Sequence, residues 1–480
     1  MTKQSAVQVA SVQRVKTNFK ITGDFLSTIA AIATAQAAAG LGTIKISGEN
    51  ALTIADSVFS AVSGKKICDT PGYRALYGKV HDGETTLDDA VALVFRAPKS
   101  YTGEDVVEIS CHGGLFILKR VLRAVLNAGA EPAEGGEFTK RAFLNGKMDL
   151  SEAEAVMSLI SASGEEARAA TLNALDGALS REIAECRDKL ALTAAFMAAW
   201  VDYPDDEIPE LSDDEMNKTL TEVYERLEKL LSGFDAGKAV LEGIDTAIVG
   251  KPNVGKSTLL NALAGSERAI VTSVAGTTRD VLEETVRVGN ITLRLADTAG
   301  IRENTDDIIE KIGVERAKER FDRASLVLMV LDAQNEISED DKALLQMCNK
   351  KNTVVIVNKT DGDVKLSVDE LKEYTTAPVV EMSAKNRAGI DELTKAVEKV
   401  VGTAGFDPSA PLITTERQRN CVMKATENIR EALDGLSFGI TPDAINVCID
   451  CAIENLSVLT GEKATETVVT EVFKNFCVGK

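Results

Sequence analysis

The chain has no long hydrophobic run, only two histidines, no cysteine framework and far fewer basic than acidic side chains. The first absence argues against a transmembrane helix, which needs about 20 consecutive apolar residues. The Ala-rich stretch Ile29–Gly40 comes nearest, but Thr and Gln interrupt it and a strand-like segment follows. With two His and no cluster at metal-ligand spacing, a zinc site is not expected. The eight Cys are scattered, which fits a reducing, cytoplasmic compartment. Cys448 and Cys451 have redox-motif spacing but stand in an apolar, helix-like segment, so core cysteines are expected there. Lys and Arg number 54 against 74 Asp and Glu, a formal charge of −20. Sequence-independent nucleic-acid binding wants the opposite sign, so RNA would have to be met by a local basic patch or a second protein. Residues 1–23 carry Lys3, Arg14, Lys16 and Lys20 and no acid, yet lack a compact apolar core or cleavage signal. A disordered tail is expected, with an organellar transit peptide as the alternative.

What is present falls into four further regions, each long enough for a core or part of one. Residues 24–144 alternate short β-like runs (Gly42–Ser47, Val91–Phe95, Val106–Ser110) with the amphipathic segment Leu115–Ala128, separated by the turn signals Pro71-Gly72, Asp82-Gly83 and Gly135-Gly136. That predicts a small α+β domain. Residues 145–242 become helical, rich in Ala, Leu, Glu and Arg with few breakers, and Tyr203–Pro209 reads as a solvated loop between two long helices. In 243–403 the apolar runs Thr246–Val249, Ser325–Asp332, Thr353–Val357 and Val379–Met382 are each followed by helical sequence, the pattern of an α/β parallel sheet. Helical periodicity returns in 404–480. A helical region split by an α/β domain predicts insertion: a discontinuous all-α domain carrying a Ras-like P-loop GTPase domain. No short tandem repeat is present.

Five motifs in a fixed order define the inserted domain's chemistry. The first is the phosphate loop Gly250-Lys-Pro-Asn-Val-Gly-Lys-Ser257, whose glycines let backbone N–H groups turn onto phosphate oxygens ahead of a helix N-terminus. Its candidate nucleotide contacts are Asn253, Val254, Gly255, Lys256, Ser257 and Thr258. Lys256 is expected to reach the β/γ-phosphates and the Ser257 hydroxyl to sit on Mg²⁺. The second, Gly276-Thr-Thr-Arg-Asp280, supplies Thr278 as the other Mg²⁺ hydroxyl, in a loop whose candidate contacts are Thr272, Ser273, Val274, Ala275, Gly276, Thr277 and Thr278. In the third, Asp297-Thr298-Ala299-Gly300, Asp297 approaches the metal from behind its ligands and the Gly300 N–H senses the γ-phosphate. The fourth, Asn358-Lys359-Thr360-Asp361, reads the base: the Asp361 carboxylate accepts from guanine N1–H and the exocyclic amine, a donor pair adenine lacks. Asn358 and Lys359 brace that loop, and in the fifth, Ser383-Ala384-Lys385, the Ala384 N–H is expected at guanine O6. GTP is the expected nucleotide.

Two departures bear on hydrolysis. The residue after Asp-x-x-Gly is Ile301, where Ras-like switches have a Gln that orients water. An apolar side chain cannot do that, and the run Asp306–Gly313 offers carboxylates that could, or that are simply a helix's solvated charges. Asn253 places an amide carbonyl beside the phosphates, facing 272–277, where it can help cage a monovalent cation. K⁺ there would put positive charge where an arginine finger otherwise acts.

Outside these motifs stand Thr28-Ile-Ala-Ala-Ile-Ala-Thr34, Tyr101-Thr-Gly-Glu-Asp105, Cys111-His-Gly-Gly114, Gly136-Glu-Phe-Thr-Lys-Arg-Ala-Phe-Leu-Asn145, Lys147-Met-Asp-Leu150 and the terminal Phe476-Cys-Val-Gly-Lys480. Together with the GTP motifs, these make the chain resemble, from about Asp24 to its last residue, the bacterial and organellar tRNA-uridine-modification GTPases of the MnmE (TrmE) type. The resemblance implies an N-terminal domain that dimerises and binds 5-formyl- or methylene-tetrahydrofolate. It further implies an FAD-dependent partner of the MnmG/GidA type, forming a heterotetramer that installs a (carboxymethyl)aminomethyl group at C5 of the tRNA wobble uridine. By matching motifs, folate contacts fall on Lys45, Glu108, Lys147 and Lys480, and K⁺ ligands on Asn253, Thr272, Val274 and Thr277. Glu310 becomes the water-orienting acid and Cys477 the family's C-terminal cysteine, a nucleophile, an acid or an inert thiol. The chain departs from the family at Ala35–Gly42, where prolines and glycines are fewer, and at Lys45, a point charge where a forked Arg is common.

A ribosome-assembly GTPase of the Era type, without one-carbon chemistry, is the competing reading. Such proteins share Pro-Asn-Val-Gly-Lys-Ser and also lack the Gln, but they add a basic RNA-binding module, whereas 412–480 is acidic and helical. A membrane-associated GTPase would want an anchor or a basic amphipathic helix, and neither stands out.

Overall fold

The computed structural model describes residues 27–480 except 163, 203–211, 265–283, 296–320, 475 and 480. The expected tail 1–23 and the Tyr203–Pro209 loop therefore lie outside the described residues. The described residues fall into two compact units, one drawn from 27–153 with 460–479 and the other from 154–459.

The first unit is built on a seven-stranded sheet. In chain order it runs β1 (Ile29–Ile32), β2 (Leu41–Ser47), α1 (Ala51–Val58), β3 (Phe59–Ala61), β4 (Arg74–Asp82), β5 (Thr85–Phe95), β6 (Val106–His112), α2 (Leu115–Asn127), β7 (Glu131–Pro132), α3 (Glu137–Leu144) and the start of α4 (Leu150–Ser161). The strand order is β3-β4-β5-β6-β2-β1-β7, antiparallel except where β7 joins β1. In α2, Leu118, Val121, Ala124 and Val125 share one stripe and are buried against Ile44, Ile46 and Ile109 of the sheet. Burying the leucine, valine and isoleucine side chains among these stabilises by about 1.5–3 kcal/mol each. Side chains alternate across a strand, so Lys45, between Ile44 and Ile46, is sent to the opposite face. There Ile29, Ala31, Ala133 and Phe138 form a second, smaller cluster with Tyr101. The C-terminal helix Glu466–Lys474 returns to this unit, with Phe473 and Phe476 ring centroids 5.0 Å apart.

The second unit continues with α5 (Glu165–Leu175), α6 (Ala178–Asp202), α7 (Asp213–Ser232) and α8 (Phe234–Glu242). A six-stranded sheet follows: β8 (Ile244–Val249), α9 (Lys256–Ala264), β9 (Glu284–Val288), β10 (Ile291–Leu295), β11 (Leu326–Asp332), α10 (Glu339–Cys348), β12 (Thr353–Asn358), α11 (Val368–Leu371), β13 (Val379–Glu381) and α12 (Ile390–Val401). Its order is β13-β12-β11-β8-β10-β9, parallel except for the β9–β10 hairpin. In β11, Leu326, Leu328 and Val330 enter the core on one face while Val327, Met329 and Leu331 enter that on the other. A strand buried on both faces reads as a continuous apolar run, and that run is what the sequence displays. The hairpin was not foreseen, because its apolar residues alternate with Thr and Arg around the turn Gly289-Asn290.

Helices α13 (Glu416–Phe438) and α14 (Pro442–Thr460) complete the unit. Ile183 and Leu190 of α6, Leu220 and Leu227 of α7, Val422 and Ile429 of α13, and Ile449 and Leu456 of α14 form one core. Helices from before and after the α/β sheet thus pack as one bundle, as the insertion pattern predicts. Glu154, 7% exposed, receives two hydrogen bonds of 2.8 Å from the Arg417 guanidinium and one of 2.6 Å from Gln418 Nε2. Arg417 also donates to the carbonyls of Val458 and Leu459. At Ser212 a capping box with Glu215 starts α7. One expectation needs correcting: Cys448 is half-buried, but Cys451 is exposed. The buried stripe of α14 runs through Ile445, Ile449, Ala452, Leu456 and Leu459, and Cys451 falls off it. Among the described residues no helix is long and apolar enough to cross a membrane.

Candidate functional site

The phosphate loop, residues 250–255, joins β8 to α9 and is shaped by backbone demands. Gly250 has φ +146°, and a Cβ there would lie 2.3 Å from the Val330 carbonyl oxygen. Gly255 has φ +99°, and its Cβ would lie 2.3 Å from Asn358 Nδ2. Asn253 holds φ +63° without being glycine, a conformation that Asn tolerates better than most residues. Lys256 opens α9 and folds back over the loop, with Nζ donating to the carbonyls of Gly250 (2.7 Å) and Lys251 (2.6 Å). Burial pushes its ammonium down from the ordinary lysine value. An anion at the loop would relieve that cost. Ser257 is half-buried in the first turn of α9, a hydroxyl of the hard oxygen type that Mg²⁺ accepts. Thr258 beside it is exposed.

The guanine loop is fastened to the phosphate loop by two side chains, Asn358 and Lys359. Asn358, 2% exposed, donates from Nδ2 to the Val254 carbonyl (2.9 Å) and accepts on Oδ1 from the Ala384 N–H (3.0 Å). Ala384 N–H, expected at guanine O6, is therefore also bonded to the loop's own asparagine. Lys359, at φ +68°, donates to the Asn253 carbonyl (2.6 Å) and to Asp332 Oδ2 (2.7 Å). Asp361 accepts from the Ser383 hydroxyl at 2.7 Å. That hydrogen bond, with Lys385 and Lys359 nearby, holds its carboxyl below the ordinary aspartate value. A carboxylate kept ionised at the protein surface is the acceptor that guanine's N–H pair requires. Asn253, Val254, Gly255, Lys256, Asn358, Lys359, Asp361, Ser383, Ala384 and Lys385 are thus brought to the ends of β8, β12 and β13, at the carboxyl edge of the sheet where α/β folds bind ligands. Thr272, Ser273, Val274, Ala275, Gly276, Thr277, Thr278, Asp297, Thr298, Ala299, Gly300 and Glu310 lie outside the described residues. Asp332 was missed by motif reasoning, and the only available signal was its place as the polar end of an apolar strand. Lys251 of the loop was missed too; its Nζ is 2.9 Å from Asp341, inside the capping box of α10.

In the first unit, Lys45 is 8% exposed and its ammonium lies 4.5 Å from the Tyr101 ring centroid and 5.0 Å from that of Phe138. Two aromatic faces on one cation contribute about 0.5–2 kcal/mol each, more as water is excluded. Glu108 is the cross-strand partner of Lys45 in the β2–β6 register and is half-buried. The Tyr101 hydroxyl pairs with Thr139 Oγ1 at 2.9 Å, and burial pushes its phenol up. In the same unit Arg141, 1% exposed, is bonded to Glu104 at 3.2 Å, Glu137 at 2.9 Å and the Ser27 carbonyl at 2.9 Å. Lys147 is exposed and donates to the Pro98 carbonyl at 3.0 Å, on the segment that carries Tyr101. Cys477 is exposed; its carbonyl accepts from Gly136 N–H and Val478 bridges to Gly135. Gly479, at φ +96°, packs so close to β1 that a Cβ would lie 2.6 Å from the Ile32 carbonyl oxygen. Lys480 lies outside the described residues. Among the described residues no group of three His, Cys, Asp or Glu could hold a metal ion.

A family model described as the MnmE helical domain matches residues 150–477, and one described as the GTP-binding protein TrmE N-terminus matches 28–147. The tRNA modification GTPase MnmE of Clostridioides difficile (strain 630) is 41% identical over 455 residues, covering 94% of this chain and 99% of that protein. The protein of the same name from Alkaliphilus oremlandii (strain OhILAs) is 41% identical over 457 residues, covering 94% and 99%. That from Lactobacillus acidophilus is 39% identical over 457 residues, covering 94% and 98%. Among solved structures, the FeoB G-domain from Methanococcus jannaschii is 29% identical and covers 33% of this chain and 96% of that one, at a TM-score of 0.24. With a guanine site at the sheet edge and relatives matching over nearly the full length, the chain belongs to the MnmE (TrmE) family of tRNA modification GTPases.

Proposed function

We propose that this GTPase is stimulated by K⁺ and works with an FAD-dependent MnmG/GidA-type partner, as a homodimer within a heterotetramer in the cytoplasm. Its product is a (carboxymethyl)aminomethyl group at C5 of the tRNA wobble uridine, with 5-formyl- or methylene-tetrahydrofolate as the one-carbon carrier. In this reading residues 24–144 bind folate and dimerise, 145–242 and 404–480 form the helical domain, and 243–403 hydrolyse GTP.

At the nucleotide, Lys256 meets the β/γ-phosphates, Ser257 and Thr278 hold Mg²⁺, and Glu310 orients the attacking water in place of the missing Gln. Asn253, Thr272, Val274 and Thr277 cage K⁺, which supplies positive charge as the γ-phosphate leaves. The residues of the first unit fit an anionic, partly aromatic ligand. Lys45 is desolvated between two rings, Glu108 stands across the strand from it, and Lys147 and the C-terminal tail belong to the same unit. The carboxylates of a folate tail would find fixed cations there, and its ring system flat neighbours.

The observation that carries this reading is Lys45 itself. The residue is 8% exposed and its ammonium lies against the rings of Tyr101 and Phe138, a cation beside two flat apolar faces that matches a folate's carboxylate tail and ring system. Calorimetry with 5-formyl-tetrahydrofolate tests it on the full chain and on Lys45→Ala. Heat with the intact protein and little with the variant is expected. No heat from the intact protein would remove the one-carbon reading and leave the GTPase unexplained in purpose.

A further inference from the structure

We infer that Asp332 is a positioning residue for nucleotide retention: it holds Lys359 against the Asn253 carbonyl and so latches the guanine loop to the phosphate loop. Asp332 ends β11 directly opposite Asn358, the last residue of β12. The Ala333 N–H donates to the Asn358 carbonyl at 2.8 Å, so the Asp332 backbone is set by the sheet. Its carboxylate is divided between two tasks. Oδ1 accepts from the Gln334 N–H at 3.0 Å, and Oδ2 accepts from Lys359 Nζ at 2.7 Å. Lys359 then spans to the Asn253 carbonyl at 2.6 Å.

Both residues joined by this ammonium, Asn253 and Lys359, hold positive φ without being glycine. Such conformations cost free energy and persist only where neighbours over-determine them. The Asn358 tie to Val254 is buried and neutral. The Lys359 tie is charged, and the Asp332 side chain is 12% exposed against 34% for Lys359. Without the carboxylate, the ammonium is left with carbonyls and is drawn toward water, so the two loops lose their charged link. That loosens the grip on base and phosphates together. The γ-phosphate chemistry depends on other residues.

The test uses the full-length protein with a fluorescent GDP analogue and steady-state GTP hydrolysis. Asp332→Asn should speed GDP dissociation and raise KM for GTP by about tenfold or more, the weight of one charge-assisted hydrogen bond, with kcat little changed. Asp332→Glu should recover part of the loss. Lys359→Ala should give a similar loss, and adding Asp332→Asn to it should change little further. Unchanged GDP dissociation in Asp332→Asn would overturn the latch, as would losses that multiply in the double variant. If Asp332→Asn does not fold, Asp332→Glu and Lys359→Ala decide. Intermediate dissociation for the first and fast dissociation for the second support the latch, and wild-type rates in both overturn it.

Discussion

The phosphate loop and the surroundings of Lys45 are built from different materials. At the phosphate loop the shape lies in the main chain: two glycines at positive φ, an asparagine forced into the left-handed region, and carbonyls that accept from Lys256, Lys359 and Asn358. Around Lys45 the shape lies in side chains, the rings of Tyr101 and Phe138, and the same unit holds the Arg141–Glu104–Glu137 cluster. A site made of backbone is specified locally, residue after residue, and tolerates no added atom. One made of side chains is gathered from distant segments and depends on the core that holds them. The first should therefore fail by losing affinity, and the second by losing stability.

The largest effect is expected where a side-chain network is cut. Arg141→Ala leaves Glu104 and Glu137 without their buried partner and should cost about 3–5 kcal/mol in denaturant unfolding. Retained stability would show that the Lys45 site does not rest on this cluster. Next comes Gly250→Ala, which sets a Cβ against a backbone oxygen in a conformation costing about 1–3 kcal/mol. GTP affinity should fall by more than about a hundredfold while folate binding is kept. Equal loss at both sites would erase the distinction drawn above.

A smaller, ion-specific effect separates the sites further. GTP turnover should be much faster in K⁺ than in Na⁺ at equal ionic strength, with folate binding the same in both. Equal turnover would sink the cation role of Asn253. The smallest effect is a shift in pH. Because the Ser383 hydrogen bond lowers the Asp361 pKa, Asp361 stays ionised through the ordinary carboxylate range. GTP affinity should hold above that range and be lost only as pH falls through the lowered value. In Ser383→Ala the loss should begin at higher pH; an unmoved profile would show that Ser383 does not tune the base reader.

This contrast also explains what could be read in advance. The phosphate and guanine loops were legible because their residues are contiguous and their glycines and asparagines have one conformational purpose. So was β11, whose double burial leaves an unbroken apolar run, and the split bundle, whose helices keep their periodicity on either side of the insert. The β9–β10 hairpin escaped because half of each strand is polar. Phe138 and Tyr101 lay inside quoted motifs, yet their closure over Lys45 follows from the β1–β2 register and from where α3 lands, and no spacing reveals that. Asp332 and the exposed Cys451 were hidden for the same reason: which face a residue takes is settled by packing.

The central claim is that a guanine-nucleotide switch and a one-carbon site in this chain serve one reaction on tRNA. Nucleoside analysis of wobble uridines tests it most directly, in cells lacking the gene and in the same cells given back either the intact chain or Lys45→Ala. The intact chain should restore the C5 modification, whereas Lys45→Ala should hydrolyse GTP and fail to restore it. Unchanged wobble uridines in the absence of the gene, or full restoration by Lys45→Ala, would contradict it.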